Sequence, residues 1–331
     1  MQSVRCSPSA TDFPSVVARH FSLLDRDAVI RAATRSSPLA RWQTDHVAEL
    51  LRSHSDETVD ALYVDTLGDR TQALGTPLHS LGGQGVFSKE VQAAVLEGRA
   101  EIAVHSAKDL ASVTAEGLVI AAIPARGDVR DELIGSTLDG LREGALVGTG
   151  SVRRRAQLAA LRPDLRFGEV RGNVGTRISK LSQFDAIVLA HVPLHRLGLW
   201  TDLVHEQTVE VLPVALMLPM IGQGALAVEC RADDEATIAA LSTINDPVAW
   251  ACVTAERTFL SMLGAGCDLP VACLAEPVLA GGYRVRALVA SADGTTIVRA
   301  EALGEDVAVL GREVAESVLA QGAAELLRAA R

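Results

Sequence analysis

Lysine, aromatic residues and long apolar runs are scarce in this chain of 331 residues. Three of its 31 basic residues are lysines, Lys89, Lys108 and Lys180, and the rest are arginine. Aromatics make up 3% of a chain that is 48% hydrophobic, so its cores must be packed from small and aliphatic side chains. No apolar run reaches the ~18 residues of a membrane-spanning helix, so no membrane association is expected. A formal net charge of -10 argues against a nucleic-acid binder. The five cysteines, Cys6, Cys230, Cys252, Cys267 and Cys273, form no CxxC pair and no Cys/His metal spacing, so no metal is expected. Residues 1–27 lack the apolar core of a secretory signal and carry Asp12, Asp25 and Asp27. They read as a loose N-terminal extension. With an odd cysteine count, this points to a reducing, cytoplasmic setting.

A GC-rich coding bias explains an excess of arginine, but not where the arginines cluster. Residues 146–177 read LVGTGSVRRRAQLAALRPDLRFGEVRGNVGTR. A short apolar strand runs into a glycine turn and then a helix over 152–161 that opens with Arg153, Arg154 and Arg155. Such a turn presents free backbone N–H groups at a positive dipole end. Arginine, here with Arg171 and Arg177 following, pairs with carboxylates through two parallel hydrogen bonds. The stretch reads as a holder of several carboxylates or phosphates; a solvated basic helix end is the plainer alternative.

Strands are expected at 28–33, 62–64, 101–104, 118–123, 145–147, 186–190 and 225–230. Helices are expected at 38–52 and 87–98. Arg35 and Ser37 fall at a strand-to-helix junction, a usual ligand position in α/β folds, where Ser36 or Ser37 also suits a helix cap. The glycine-rich loop 65–85 is long enough to be functional or disordered. At 105–110, HSAKDL puts a hydroxyl, an ammonium and a carboxylate at a strand end, either a site or a salt-bridged turn. The strand 225–230 is expected to return to the first lobe, so two α/β lobes joined by two crossings would enclose a cleft. From residue 246 the pattern changes to a helix over 247–263, strands at 283–290 and 296–302, and one final helix over 309–330, a small α+β domain. The expected domains are 28–124 with 225–243, then 125–224, then 244–331. Cys267 lies on a glycine-flanked loop and reads as exposed and reactive, whereas Cys230, Cys252 and Cys273 read as buried and structural.

Seven segments in order, ATRSSPLARWQ, HSAKDL, GTGSVRRRAQL, RGNVGTRISKL, DAIVLA, IGQGALAVECR and AERTFLSMLGAGCDLPV, together resemble the porphobilinogen deaminase (hydroxymethylbilane synthase) family. The resemblance implies two similar mixed-sheet α/β domains, bilobal and periplasmic-binding-protein-like, plus a small C-terminal α+β domain. It implies a cytoplasmic, monomeric transferase of haem biosynthesis. Such an enzyme joins four porphobilinogen units head to tail and releases ammonia. It also implies a dipyrromethane cofactor held by a thioether to Cys267, and Asp109 beside Lys108 as the catalytic groups. Asp109 would stabilise the cation left when ammonia departs. Arg35, Ser37, Thr149, Ser151, Arg153, Arg154, Arg171, Arg177 and Arg196 match positions that bind the acetate and propionate groups. Asp69 and Gln84 fall on the family's mobile lid.

The chain departs from the family pattern at several points. Gln84 stands where lysine is frequent, Leu67 where a polar residue is frequent, and Gly150 where serine is common. Gly264 and Ala265 replace a Glu-Gly pair. LAHVPLHRL stands for LAxAGLxRL, so that His191, Val192 and Pro193 alter a wall of the cleft. Pro193 also removes a backbone N–H. Two other classes share parts of the pattern: a bilobal anion- or tetrapyrrole-binding module, and a hydrolase with Cys267 as nucleophile and His105 as base.

Overall fold

The computed structural model describes residues 29–55, 57–69, 87–264 and 269–330. The expected N-terminal extension, most of the expected lid with Gln84, and Cys267 lie outside the described residues.

The first lobe is built on a five-stranded sheet of order β2-β1-β3-β10-β4. Its strands are β1 (Ile30–Thr34), β2 (Val59–Tyr63), β3 (Ile102–Ser106), β4 (Leu118–Ala122) and β10 (Leu226–Arg231). β1 pairs in parallel with β2 and β3, while β10 runs antiparallel between β3 and β4. Leu226, Ala227, Val228 and Cys230 are buried, as expected for a strand covered on both faces. Helix α1 (Pro38–Ser55) opens on proline, which lacks the N–H that a first turn leaves unpaired. It buries Ala40, Gln43, Thr44, Val47 and Leu51, a stripe at helical spacing. Helix α2 (Lys89–Leu96) packs Val91, Ala94 and Val95 on the same sheet.

The second lobe repeats the plan with the order β7-β6-β8-β5-β9. Its strands are β5 (Asp131–Ile134), β6 (Leu146–Gly148), β7 (Arg166–Gly168), β8 (Ala186–Ala190) and β9 (Val209–Leu212). Again two pairings, β6 with β7 and β6 with β8, are parallel, and the strand beside β8 is antiparallel. Helices α3 (Val152–Leu161), α4 (Val174–Ser179), α5 (His191–Arg196) and α6 (Trp200–Glu206) belong to this part. The expected bounds of α3 and β8 match those observed. β5, β7 and β9 are three to four residues long, too short to carry a readable period of two.

Helix α7 (Glu235–Ser242) packs against the first sheet, and α8 (Pro247–Met262) starts the third unit. There, β11 (Val271–Pro277), β12 (Tyr283–Ala290) and β13 (Ile297–Gly304) form an antiparallel sheet against α8 and α9 (Val307–Ala320). Two expectations fail in this unit. β11 went unread because it follows the cysteine loop without a turn signal. The single final helix is α9 plus α10 (Ala323–Ala329), broken at Gly322, whose φ of +92° is incompatible with helix continuation.

The two crossings between lobes lie against each other. The Gly127 N–H donates to the Gly224 carbonyl at 3.2 Å. Gly224 has a φ of +86°, and a Cβ there would lie 2.5 Å from the Gly127 oxygen, so only glycine fits. Glu256 of α8, fully buried, accepts from both terminal nitrogens of Arg126 at 2.7 and 3.0 Å, from the Gly222 N–H at 2.7 Å and from the Ala275 N–H at 2.9 Å. One carboxylate in the AERTF segment thereby ties both crossings to the third sheet.

Candidate active site

Each lobe brings its chemistry to strand ends. β3 leads into a 3-10 turn, Ala107–Asp109, that carries Lys108 and Asp109. This turn is held from behind: the Ala107 N–H donates to Ala225 at 3.0 Å, and a Cβ on Gly222 would lie 3.0 Å from the Ala107 carbonyl carbon. The returning crossing therefore fixes the height of the turn. Burial pulls the Lys108 ammonium down to about 8. Asp109 and Asp131 oppose the shift, and the positive charges of Arg154 and Arg153 add to it. A side chain of the first lobe is thus within electrostatic reach of charges in the second.

Those charges form a buried network. Asp131, at the start of β5, accepts from Arg153 at 2.6 Å, Arg154 at 2.8 Å and the Gln223 amide at 2.8 Å. Burial alone would raise the Asp131 carboxyl, but Arg153 and Arg154 overcome it and hold the group well below the usual carboxylate range. Arg153 also donates to the Leu218 carbonyl at 2.6 Å, and Arg154 to the Val188 carbonyl at 3.0 Å. The solvated-helix alternative fails for these two arginines, because Arg153 is 2% exposed and Arg154 6%. Both terminal nitrogens of Arg153, and both of Arg154, are bonded internally to Asp131 and a backbone carbonyl, so a ligand carboxylate would meet either through Nε or by displacing one of these partners. One aspartate facing two guanidinium groups still leaves a surplus positive charge.

Arg177 donates through Nε to the Gly172 carbonyl at 2.7 Å. Burial first, then Arg154 and Arg171, lower its guanidinium to about 10 against the opposing charge of Asp109. Asp109, Lys108, Arg154, Arg171 and Arg177 therefore share one electrostatic neighbourhood. Arg171 pairs with Glu169. Arg196 donates to the Gly224 carbonyl at 2.9 Å and lies 5.1 Å over the Trp42 ring of α1, which links the second lobe to the first.

The hydroxyls act first as caps. Ser37 accepts from the Ala40 N–H at 3.3 Å, Ser151 from the Arg154 N–H at 3.4 Å, and Thr149 from the Ser151 N–H at 3.2 Å. A cap uses an oxygen lone pair, so each O–H can still donate to a ligand. Arg35 pairs with Asp69, its Nε donating at 3.0 Å, and its guanidinium carbon lies 4.1 Å over Phe87. Sequence reading placed Arg35 and Asp69 separately; here a ligand carboxylate would have to displace Asp69 from Arg35.

The departures have local consequences. The Cβ of any residue replacing Gly150 would lie 3.2 Å from the Val170 oxygen. Pro193 is the third residue of α5, where its missing N–H has no intrahelical partner to lose. A Val192 methyl would lie 2.5 Å from a Cβ placed on Gly127, so valine there requires that glycine. His105 is 6% exposed with Nε2 3.2 Å from Glu229, and Gln92 bonds the same carboxylate at 2.8 Å. The hydrolase alternative thereby loses its base to a core pair. Burial raises the thiols of Cys230 and Cys252 to about 12, as suits structural cysteines, and Cys273 is buried as well. Asp131, Gln223, Glu229 and Glu256 went unread because isolated acids and amides in apolar runs carry no spacing signal.

Among the described residues no helix is long and apolar enough to cross a membrane. One solved structure, a periplasmic substrate-binding protein of an ABC transporter from Coxiella burnetii, is similar with a TM-score of 0.40 at 11% identity, over 69% of this chain and 97% of that one. The family descriptions "Porphobilinogen deaminase, dipyromethane cofactor binding domain" and "Porphobilinogen deaminase, C-terminal domain" match residues 30–239 and 250–320. Porphobilinogen deaminases of two strains of Acidithiobacillus ferrooxidans are each 44% identical over 311 residues, covering 91% of this chain and 98% of the relative. A match of that extent, over a chain whose two lobes converge on a carboxylate and a set of arginines, makes this chain a member of the porphobilinogen deaminase family.

Proposed function

We propose that the chain is a hydroxymethylbilane synthase, a transferase of tetrapyrrole biosynthesis. It joins four porphobilinogen units head to tail and releases one ammonia at each addition. We assign it to the haem branch, as a cytoplasmic monomer. Its domains are 28–124 with 225–243, 125–224, and 244–331. One observation carries the reading: Asp109 and Lys108 of the first lobe share an electrostatic neighbourhood with Arg154, Arg171 and Arg177 of the second. Each porphobilinogen brings an acetate and a propionate, so a growing chain needs a surplus of cations around one carboxylate.

The same residues fit the family's cofactor. A dipyrromethane is polyanionic, and this donor set is cationic, with hydroxyls at Ser37, Thr149 and Ser151. When bound through a thioether to Cys267, the dipyrromethane supplies the primer for elongation. Arg35, Arg153, Arg154, Arg171, Arg177 and Arg196 hold carboxylates of primer and substrate. Asp109 accepts pyrrole N–H groups and offsets the positive charge that develops as ammonia leaves. The Lys108 ammonium faces a substrate carboxylate. Residues 65–85 act as a lid that excludes competing water, with Asp69 at its base and Gln84 near its end.

Intact mass tests the reading. Wild-type protein made with a working tetrapyrrole supply should exceed its sequence mass by a dipyrrole, and Cys267→Ser should not. A wild type at sequence mass that still forms product overturns the assignment.

A further inference from the structure

His191 and His195 are the i and i+4 positions of helix α5, so their rings stand one above the other on one face, with centroids 4.2 Å apart. Beneath them, on β5, lies the carboxylate of Glu132. One nitrogen of each imidazole and one Glu132 oxygen lie within 4.8 Å of one another. Small side-chain rotations bring such a set to the ~2.0–2.1 Å bond lengths of a bound divalent ion.

Three further features distinguish this cluster from a chance meeting of polar groups. Glu132 is fully buried, and its Oε2 has no hydrogen-bond partner among the described residues, an expensive state for a carboxylate unless something else satisfies it. His191 turns Nδ1 to Glu132 and holds Nε2 3.7 Å from Asp128. That separation is an ion-pair distance and not a hydrogen bond, and Asp128 accepts its hydrogen bonds from Arg130, so a short shift of the His191 ring is needed for Asp128 to become the outer support of a ligating histidine. His195 is stacked on Trp200 with centroids 4.8 Å apart, so its ring is also fixed.

We propose that Glu132, His191 and His195 form a binding site for a borderline divalent transition-metal ion such as Zn²⁺ or Co²⁺, with Asp128 as the outer support of His191. Two imidazoles and one carboxylate suit these ions, whereas Mg²⁺ and Ca²⁺ prefer all-oxygen sets. Three protein ligands leave one position open. Asp128 belongs to the first crossing between lobes and α5 carries Arg196, so the ion would tie that crossing to the helix. The H-x3-H spacing in LAHVPLHRL was the sequence signal; with no cysteine nearby it passed as a departure from the family pattern.

The test uses cofactor-loaded enzyme stripped of metals with a chelator and titrated with Co²⁺. One Co²⁺ per chain is expected, with visible d–d absorption that Zn²⁺ abolishes and Mg²⁺ does not. His195 is exposed, so His195→Ala spares the core, and it should weaken Co²⁺ binding at least ~10-fold. Asp128→Asn should weaken it ~10–100-fold while leaving the stoichiometry at one. His205→Ala, on α6 and outside the cluster, should bind as the wild type does. Zn²⁺ should raise the melting temperature of the wild type and not of His195→Ala. No Co²⁺ uptake at micromolar ion, or equal uptake by wild type and His195→Ala, overturns the proposal.

Discussion

The two lobes share a strand order and differ in where they bury acid. In the first lobe, Glu229 sits inside β10 opposite Ala103, and its partners are His105 and Gln92. In the second, Asp131 sits at the start of β5 opposite Ala190, at the strand end, with two arginines on it. The first arrangement lies in the sheet interior, and Glu229 Oε1 there has no hydrogen-bond partner among the described residues. The second stands at a strand end and carries more positive charge than it neutralises. Repeating a backbone therefore did not repeat its electrostatics: the first lobe sets its buried acid against a histidine and an amide, the second against two guanidinium groups. Burial of Arg153 and Arg154 is tolerable because Asp131 is present, and their fixed positions follow from it.

The contrast predicts unequal costs. Asp131→Asn leaves two buried guanidinium groups uncompensated and should cost about 3–5 kcal/mol of stability. Glu229→Gln keeps a hydrogen-bonding group against Gln92 and should cost about 1 kcal/mol. Denaturant midpoints measure both, and equal losses would break the comparison. The acid limb adds a sign. Since the Asp131 carboxyl is depressed in the fold, its contribution is fully present above the unfolded value of ~3.9 and is lost as pH falls toward the folded value. The gap between wild type and Asp131→Asn should therefore be widest near neutral pH and close on acidification below ~4.

Asp109→Asn should lower product formation ~10²–10³-fold with an unchanged melting temperature, since it removes one charge stabiliser and no packing. Wild-type turnover in this variant would remove the reacting carboxylate from the first lobe. Lys108 sharpens the link between lobes. Its ammonium should lose its proton near pH 8 in the free enzyme, so kcat/KM for porphobilinogen should fall as pH rises through that value. Lys108→Arg, which stays charged, should flatten that limb. The smallest effects are expected at the rim. Arg171→Leu and Arg177→Leu should leave stability nearly unchanged yet stall elongation at different enzyme-bound masses, whereas identical mass ladders would indicate a general field.

Much of this was legible in the sequence. The glycine–hydroxyl–arginine turn before α3, the strand ending in Lys108–Asp109, the return of β10 to the first sheet and the buried state of three cysteines all follow from apolar periods, turn chemistry and motif order. Those signals are local, and local geometry sets strand ends and helix starts. Sequence by itself determined which residue types stand at the strand ends and, through seven ordered motifs, the family. Tertiary structure alone decided that Arg153 and Arg154 both bond Asp131 and that Arg177 neighbours Asp109. It decided that Arg35 meets Asp69, that Glu256 fastens both crossings, and that Glu132 lies under His191 and His195. Each of these pairings joins residues far apart in the chain, and the energy of a buried charge depends on partners that only packing brings within hydrogen-bond reach.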